Sequence, residues 1–360
     1  MSNATTTNVP PPAEPSVQPT TLRRPRLPRW APAALAAGSA AAGAGAGLAL
    51  GLQSRVQWGL IAAVVFIAAT YALTSKVEGA RQARDRLATS LVWVCFLIAL
   101  LPLVSLLWET VFRGSKVLDG YFLTHSMQGI ITLEPGGGAY HALLGTLEQI
   151  GLTVLMATPI GMLTAIYLVE YGKGRLAKAV TFFVDVMTGI PSIVAGLFIL
   201  SFWILILGFG YSGFAGALAL TILMLPIVVR STEEMLKLVP NELREASLAL
   251  GVPKWLTIVK VVIPTAIGGI TTGVMLAVAR VAGETAPILL LVFGANSING
   301  NPFEGPQSSL PYYVYRQWSL GNEASYDRAW AAALLLIAFV MALNLVARAI
   351  ARWKAPKAGH

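Results

Sequence analysis

Apolar runs of membrane-spanning length recur along the chain, and they set the fold class before any motif is read. A hydrocarbon layer about 30 Å thick takes about 20 apolar residues of α-helix to cross, and within it the backbone has to satisfy its own hydrogen bonds. Runs of that order lie near 31–52, 57–74, 87–111, 146–169, 180–207, 213–229, 265–293 and 329–350. Composition agrees, with 56% of residues hydrophobic and 12% charged, about half the charged share of a soluble domain. The sequence predicts an all-α polytopic membrane protein. The first two runs are the weakest, one rich in Ala and Gly and the other short. They are read as a two-helix extension over 31–86, ahead of a six-helix core over 87–350.

Residues 1–30 are rich in Pro, Thr and Ser and include Arg23, Arg24, Arg26 and Arg29. Such a segment has too little apolar surface to fold, so a disordered cytoplasmic tail is expected, with a second short tail at 351–360. The run at 31–52 exceeds the roughly 7–15 residues of a signal-peptide core and reads as an uncleaved first span. With the N-terminus inside, only Arg55, Arg113, Lys116, Arg316 and Arg328 of the 26 Lys and Arg fall outside, and Arg280 alone falls within a span. That asymmetry obeys the positive-inside rule and puts both termini in the cytoplasm. It also accounts for the net charge of +9 with membrane lipid as the partner and no nucleic acid. The single cysteine, Cys95, forms no intrachain disulfide and reads as a small packing residue. No Cys/His grouping of metal-site spacing occurs.

A polar island, Arg230–Pro264, interrupts the apolar runs. It contains Glu245-Ala246-Ser247, then Gly251 four residues on, then Val261-Val262-Ile263-Pro264. Glu242 and Glu245 suit a helix N-terminus begun at Pro240, with Leu243, Ala246 and Leu250 at helical spacing along one apolar face. Gly251 fits the left-handed position that ends a helix, and Pro253 begins a second short helix with Trp255 and Leu256. Two short amphipathic helices at an angle make a compact knob. The plainer alternative is a helix lying in the headgroup plane. No G-x-x-x-x-G-K-[ST] loop is present, so this chain is expected to carry no nucleotide of its own and no other cofactor.

A charged pair sits inside the seventh run, in Ala279-Arg280-Val281-Ala282-Gly283-Glu284-Thr285-Ala286-Pro287. In a continuous helix Arg280 and Glu284 share one face, and Gly269, Gly273 and Ala277 extend it with small side chains that let another helix approach closely. The small-to-charged face suggests a pathway lining. Pro287 is expected to kink the helix and free the Gly283 carbonyl. Each intramembrane charge costs about 2.5–3.5 kcal/mol to insert and so marks a substrate route by default; a mutually neutralised packing pair is the bland reading. A guanidinium fork fits a tetrahedral oxyanion. Arg230 is a further pathway candidate or an ordinary positive-inside anchor. Thr188 and Ser192, in Met187-Thr188-Gly189-Ile190-Pro191-Ser192, interrupt the fifth run, either to face a cavity or as a packing kink. Asp185 and Glu170 are expected to face water or basic neighbours. His125 and His141 lack motif partners, and no Ser/His, Cys/His, paired-Asp or His-Glu-x-x-His constellation supports an enzyme.

The island resembles the EAA loop of ABC-importer permeases. Together with LPIVVRSTEEMLKLVPNELREASLALGVPKW at 225–255, ARVAGETAPILL at 279–290, TGIPSIVAGLF at 188–198 and AIYLVEYG at 165–172, it resembles the phosphate-specific permeases of the PstA type. The resemblance covers roughly 87–350. It implies a type I ABC-importer transmembrane domain in a bacterial or archaeal cytoplasmic membrane, with an EAA coupling loop at 231–260. It further implies a PstC-type permease as heterodimer partner, two ATPase subunits that bind ATP and Mg, and an extracytoplasmic phosphate-binding protein. By the same resemblance Arg230, Arg280 and Glu284 serve phosphate passage, while Glu242, Glu245, Ala246, Ser247, Gly251 and Trp255 serve ATPase coupling. Ser247 departs from the alanine of the EAA pattern but keeps a small side chain. A permease of the same architecture for sulfate or molybdate is the alternative. An ion-gradient-driven transporter or channel leaves the EAA element without a purpose.

Overall fold

The computed structural model describes residues 27–131 and 133–354. Most of the tails expected at 1–30 and 351–360 therefore lies outside the described residues. Seven helices among those described are long and apolar enough to cross a membrane, eight if one sharply bent pair counts as a single span. The chain divides by compactness within one long helix, between Ser105 and Leu106.

In the first unit, α1 (Ala31–Ala49) and α2 (Arg55–Val77) form a helical hairpin, its turn closed by Trp58 Nε1 donating to the Leu52 carbonyl at 3.0 Å. Buried Glu78 follows α2 and accepts from the Leu27 amide at 2.7 Å and from Arg86 at 3.2 Å. The third helix, α3 (Ala80–Val117), exposes Trp93, Phe96, Leu97 and Leu101, as a helix solvated by lipid does.

The second unit continues through α4 (Gly120–Thr124) to α5 (Tyr140–Ile166), which ends in a wide turn at Tyr167–Tyr171. Then come α6 (Gly174–Thr188), α7 (Ser192–Ile199) with a wide extension Leu200–Ile206, and α8 (Gly213–Lys237). Helix α8 is central: 56% of its most apolar window is buried, against 33% or less for every other span. Its Met224, Val228, Val229 and Leu236 pack in one core with residues of α5 and of α11 (Ile263–Ala282). Between these lie α9 (Asn241–Ala249) and α10 (Lys254–Thr257), followed by α12 (Ala286–Leu291), α13 (Leu310–Ser319) and α14 (Glu323–Lys354).

Three sequence expectations need correction. Pro253 does not begin a separate short helix: α10 runs through a wide turn at Ile258–Val262 straight into α11, one span from Lys254 to Ala282. Pro264 has no N–H for the Lys260 carbonyl and crowds it; a wide turn relieves that clash without breaking the helix. The run 265–293 is not one helix, because α11 stops at Ala282, Gly283 caps it and Pro287 falls in the first turn of α12. Finally, the close helix approach expected at Gly269 and Gly273 is made by α8, so among the described residues their face is taken up by packing rather than by a pathway. A Cβ on Gly273 would sit 2.5 Å from the Ser231 side chain, and one on Gly269 would sit 2.1 Å from Met235 Sδ. At Gly273 α11 and α8 approach too closely for a larger residue unless Ser231 shifts, whereas at Gly269 the flexible Met235 side chain would have to move aside.

The segment after α12 folds back between helix ends. Gln149 on α5 donates to Gln307 Oε1 at 2.9 Å and to the Ser308 carbonyl at 3.2 Å, while Thr146 accepts from the Leu310 amide at 2.7 Å. Gln149 and Gln307 are both 1% exposed, so each bond is made where water is not available to replace it.

Candidate functional site

Two helix breaks meet at one open cavity of about 320 Å³, the size of a small-molecule site. The first break separates α6 from α7, whose axes differ by 107°. Gly189 closes α6, and Ile190 precedes a proline, which disfavours helical geometry there. The second is Gly283–Thr285. The wall is formed by Met187 to Ser192 from the first break, Leu223, Pro226 and Ile227 from α8, and Arg280, Val281 and Glu284 around the second.

Four of the five pathway candidates thus line one space: Thr188, Ser192, Arg280 and Glu284. Arg280 is exposed to the cavity and Glu284 half-buried. The helical pairing expected between them is absent, because Glu284 lies beyond the helix end; among the described residues neither side chain has an ion pair. A free guanidinium facing a solvent-sized space is able to take an anion without first giving up a partner. The hydroxyl groups differ. Thr188 Oγ1 donates back to the Val184 carbonyl at 2.9 Å and has no hydrogen left to offer, whereas Ser192 opens α7, where unpaired helix N–H groups favour negative charge.

Arg230 is not among the cavity-lining residues. Its guanidinium bridges Asp185 on α6 and Glu233 one turn along α8, the latter at 2.7 Å. Glu233 also receives Lys237 at 2.7 Å. Asp185 and Glu170 have the basic neighbours expected of them, but Glu233 carried no signal in the sequence beyond its charge.

The polar island forms a single short helix, α9, set against the start of the α10–α11 span. Its end is a complete Schellman turn: the Gly251 amide donates to Leu248 and the Val252 amide to Ser247, at 2.9 and 3.2 Å. Gly251 has φ +77°, which a side chain would strain. Ser247 is the buried residue of this helix, its hydroxyl 2.9 Å from that of Thr257 on α10. Glu242, Glu245 and Ala246 are exposed, as are Leu243, Trp255 and Leu250, the last at 85%. The apolar stripe of α9 therefore faces outward. Arg244, which the sequence reading passed over, is the tether: it donates to the Leu236 and Val239 carbonyls at 2.8 and 2.6 Å and to Glu170 at 3.0 Å. Lys254 adds a bond to the Glu170 carbonyl and a cation–π contact with Tyr171. Basic side chains thus fill the orphan carbonyls at the ends of α5 and α8.

Comparison with known proteins adds independent findings. The family model described as "Binding-protein-dependent transport system inner membrane component" matches residues 157–360. Phosphate transport system permease protein PstA 1 of Mycobacterium tuberculosis is 51% identical over 271 residues, 75% of this chain and 88% of that protein. PstA of Pasteurella multocida is 37% identical over 273 residues, covering 74% and 94%. Among solved structures, a bacterial alginate ABC transporter in complex with a pentasaccharide-bound periplasmic protein aligns with TM-score 0.50 and 17% identity, over 74% of this chain and 96% of that one.

Proposed function

The chain belongs to the binding-protein-dependent transport inner-membrane components, and within them to the PstA-type phosphate permeases; from that premise we propose that it forms half of the passage of an ATP-driven importer of inorganic phosphate. The observation that carries the reading is the unpaired Arg280 in the cavity, with Glu284 across the helix break and the N-terminus of α7 on the same wall. A forked cation and helix N–H groups suit a tetrahedral oxyanion, while the carboxylate keeps the site from holding it too tightly to release.

Energy for transport comes from a separate ATPase. The exposed stripe Leu243, Leu250 and Trp255, fixed in orientation by Arg244 and the Gly251 turn, supports α9 as the docking element. The EAA-loop end, α9 included, then faces the cytoplasm, and the loops flanking α13 face the side from which a binding protein delivers phosphate. A PstC-type permease completes the passage, with two ATPase subunits beneath the pair. Movement of α9 reaches the cavity through α8, since Arg244 grips the α8 carbonyls and Pro226 and Ile227 form the cavity wall.

Uptake of radiolabelled phosphate by the reconstituted complex, with sulfate and molybdate as competitors, tests the assignment. Arg280→Gln is expected to abolish uptake with assembly intact, and Arg280→Lys to restore only part, because an ammonium lacks the planar fork. Uptake of sulfate in preference to phosphate, or normal phosphate accumulation by Arg280→Gln, would sink it.

A further inference from the structure

Two arginines near the passage are in opposite electrostatic states. Arg280 has no ionic partner among the described residues, while Arg230 has two. Those two are unlike each other. Glu233 lies on the same helix at i+3, is 8% exposed and also receives Lys237, so it is built into α8. Asp185 comes from another helix, its side chain 59% exposed, and among the described residues it pairs with no cation but Arg230. Arg230 stands one helical turn beyond Ile227, and Asp185 stands two residues before Met187, both cavity-wall positions. The pair therefore spans α6 and α8 just past the cavity, on the side of α8 that leads to Lys237 and α9.

We propose that Asp185 is a displaceable counter-ion for Arg230 and so sets how readily the anion leaves the cavity. With the pair closed, α6 and α8 are joined at the exit and the guanidinium is neutralised. An anion moving out of the cavity takes Arg230 by displacing Asp185, and the aspartate then recaptures the arginine and expels the anion. Glu233 keeps the guanidinium in place throughout. No bond is made or broken covalently; one carboxylate and one oxyanion exchange on a single cation. An exposed ion pair is the right device for this, since pairs of that kind are worth little in net stability and exchange freely.

This inference rests on the phosphate reading, and its test separates the two. The complete transporter is reconstituted in vesicles, and ATP-driven uptake is measured against rising inorganic phosphate in the compartment that α9 faces. With Asp185→Asn, Arg230 has lost its competitor and holds returning phosphate longer. The concentration that halves uptake is expected to fall about fivefold, the size of one exposed charge pair, with little change when Asp185→Glu is used instead. Added to Arg230→Gln, the Asp185→Asn change should shift nothing further. A purely structural Asp185 would lower the amount of assembled transporter and leave that concentration unmoved; this result overturns the proposal. If Asp185→Asn does not assemble, Asp185→Cys in a Cys95→Ser background decides. An anionic thiol reagent should restore the wild-type value and a cationic one should not; equal effects overturn the proposal. Wild-type vesicles that take up another anion and no phosphate would instead defeat the substrate assignment.

Discussion

Arg244 reaches Glu170 across 74 residues of sequence, Nε to Oε1 at 3.0 Å, with the arginine side chain 15% and the glutamate 7% exposed. The same guanidinium bonds carbonyls of α8 and its end, so one side chain joins α5, α8 and α9. Arg244→Met leaves a nearly buried carboxylate without its cation, a loss of about 3 kcal/mol. The purified subunit should melt lower, and adding Glu170→Gln should recover more than half of the deficit. Equal melting of the single variant and wild type would show that the pair carries no stability.

Gly251 adopts φ +77°, and both its own amide and that of Val252 close the turn after α9. Proline there is held near φ −65° and has no N–H. Gly251→Pro is expected to keep the protein in the membrane while the ATPase no longer co-purifies with it. Undiminished co-purification would argue against α9 as the docking element.

Two glycines of α11 offer a matched comparison. Gly273 lies under Ser231, whereas a Cβ on Gly268 meets nothing within 4 Å. Gly273→Ala should destabilise by about 1–3 kcal/mol through overpacking, and Gly268→Ala should be neutral or slightly stabilising. Thermal melts in detergent distinguish them; indistinguishable melts would mean that α8 and α11 yield at this contact.

Gln149→Leu strips the donor from both Gln307 Oε1 and the Ser308 carbonyl in a site that water does not reach. An unpaired buried polar group costs about 1–3 kcal/mol. Limited proteolysis from the face that carries the 294–309 segment should cut that segment about tenfold faster. Unchanged cleavage would place the anchor elsewhere.

The long spans were legible because each is a sustained apolar window, and the first break was visible in Gly189 and Pro191. The second was not. Gly283 and Pro287 are tolerated inside membrane helices, so ARVAGETAPILL reads equally well as a kinked continuous helix, and only three-dimensional structure separates Arg280 from Glu284. Gly269 and Gly273 were legible as sites of close helix approach, and α8 is the helix that packs there. The pathway lining read from the same face was not met, because spacing alone does not say which neighbour a face meets. Arg230 was visible as a charge, but its partner Asp185 lies on a different helix 45 residues away, and no local pattern reports such a pairing. Ser247 in place of alanine has a reason the sequence hid: its hydroxyl meets Thr257.

The wide turn at Ile258–Val262 has a geometric result of its own. Each residue advances an α-helix by about 100°, and a π-type turn amounts to one inserted residue. The azimuth of Trp255 and Lys254 is thereby uncoupled from that of Gly273 and Arg280 on the same rod. The end that a motor subunit would grasp and the end that handles the anion can each face their own way, although a single helical shaft carries both.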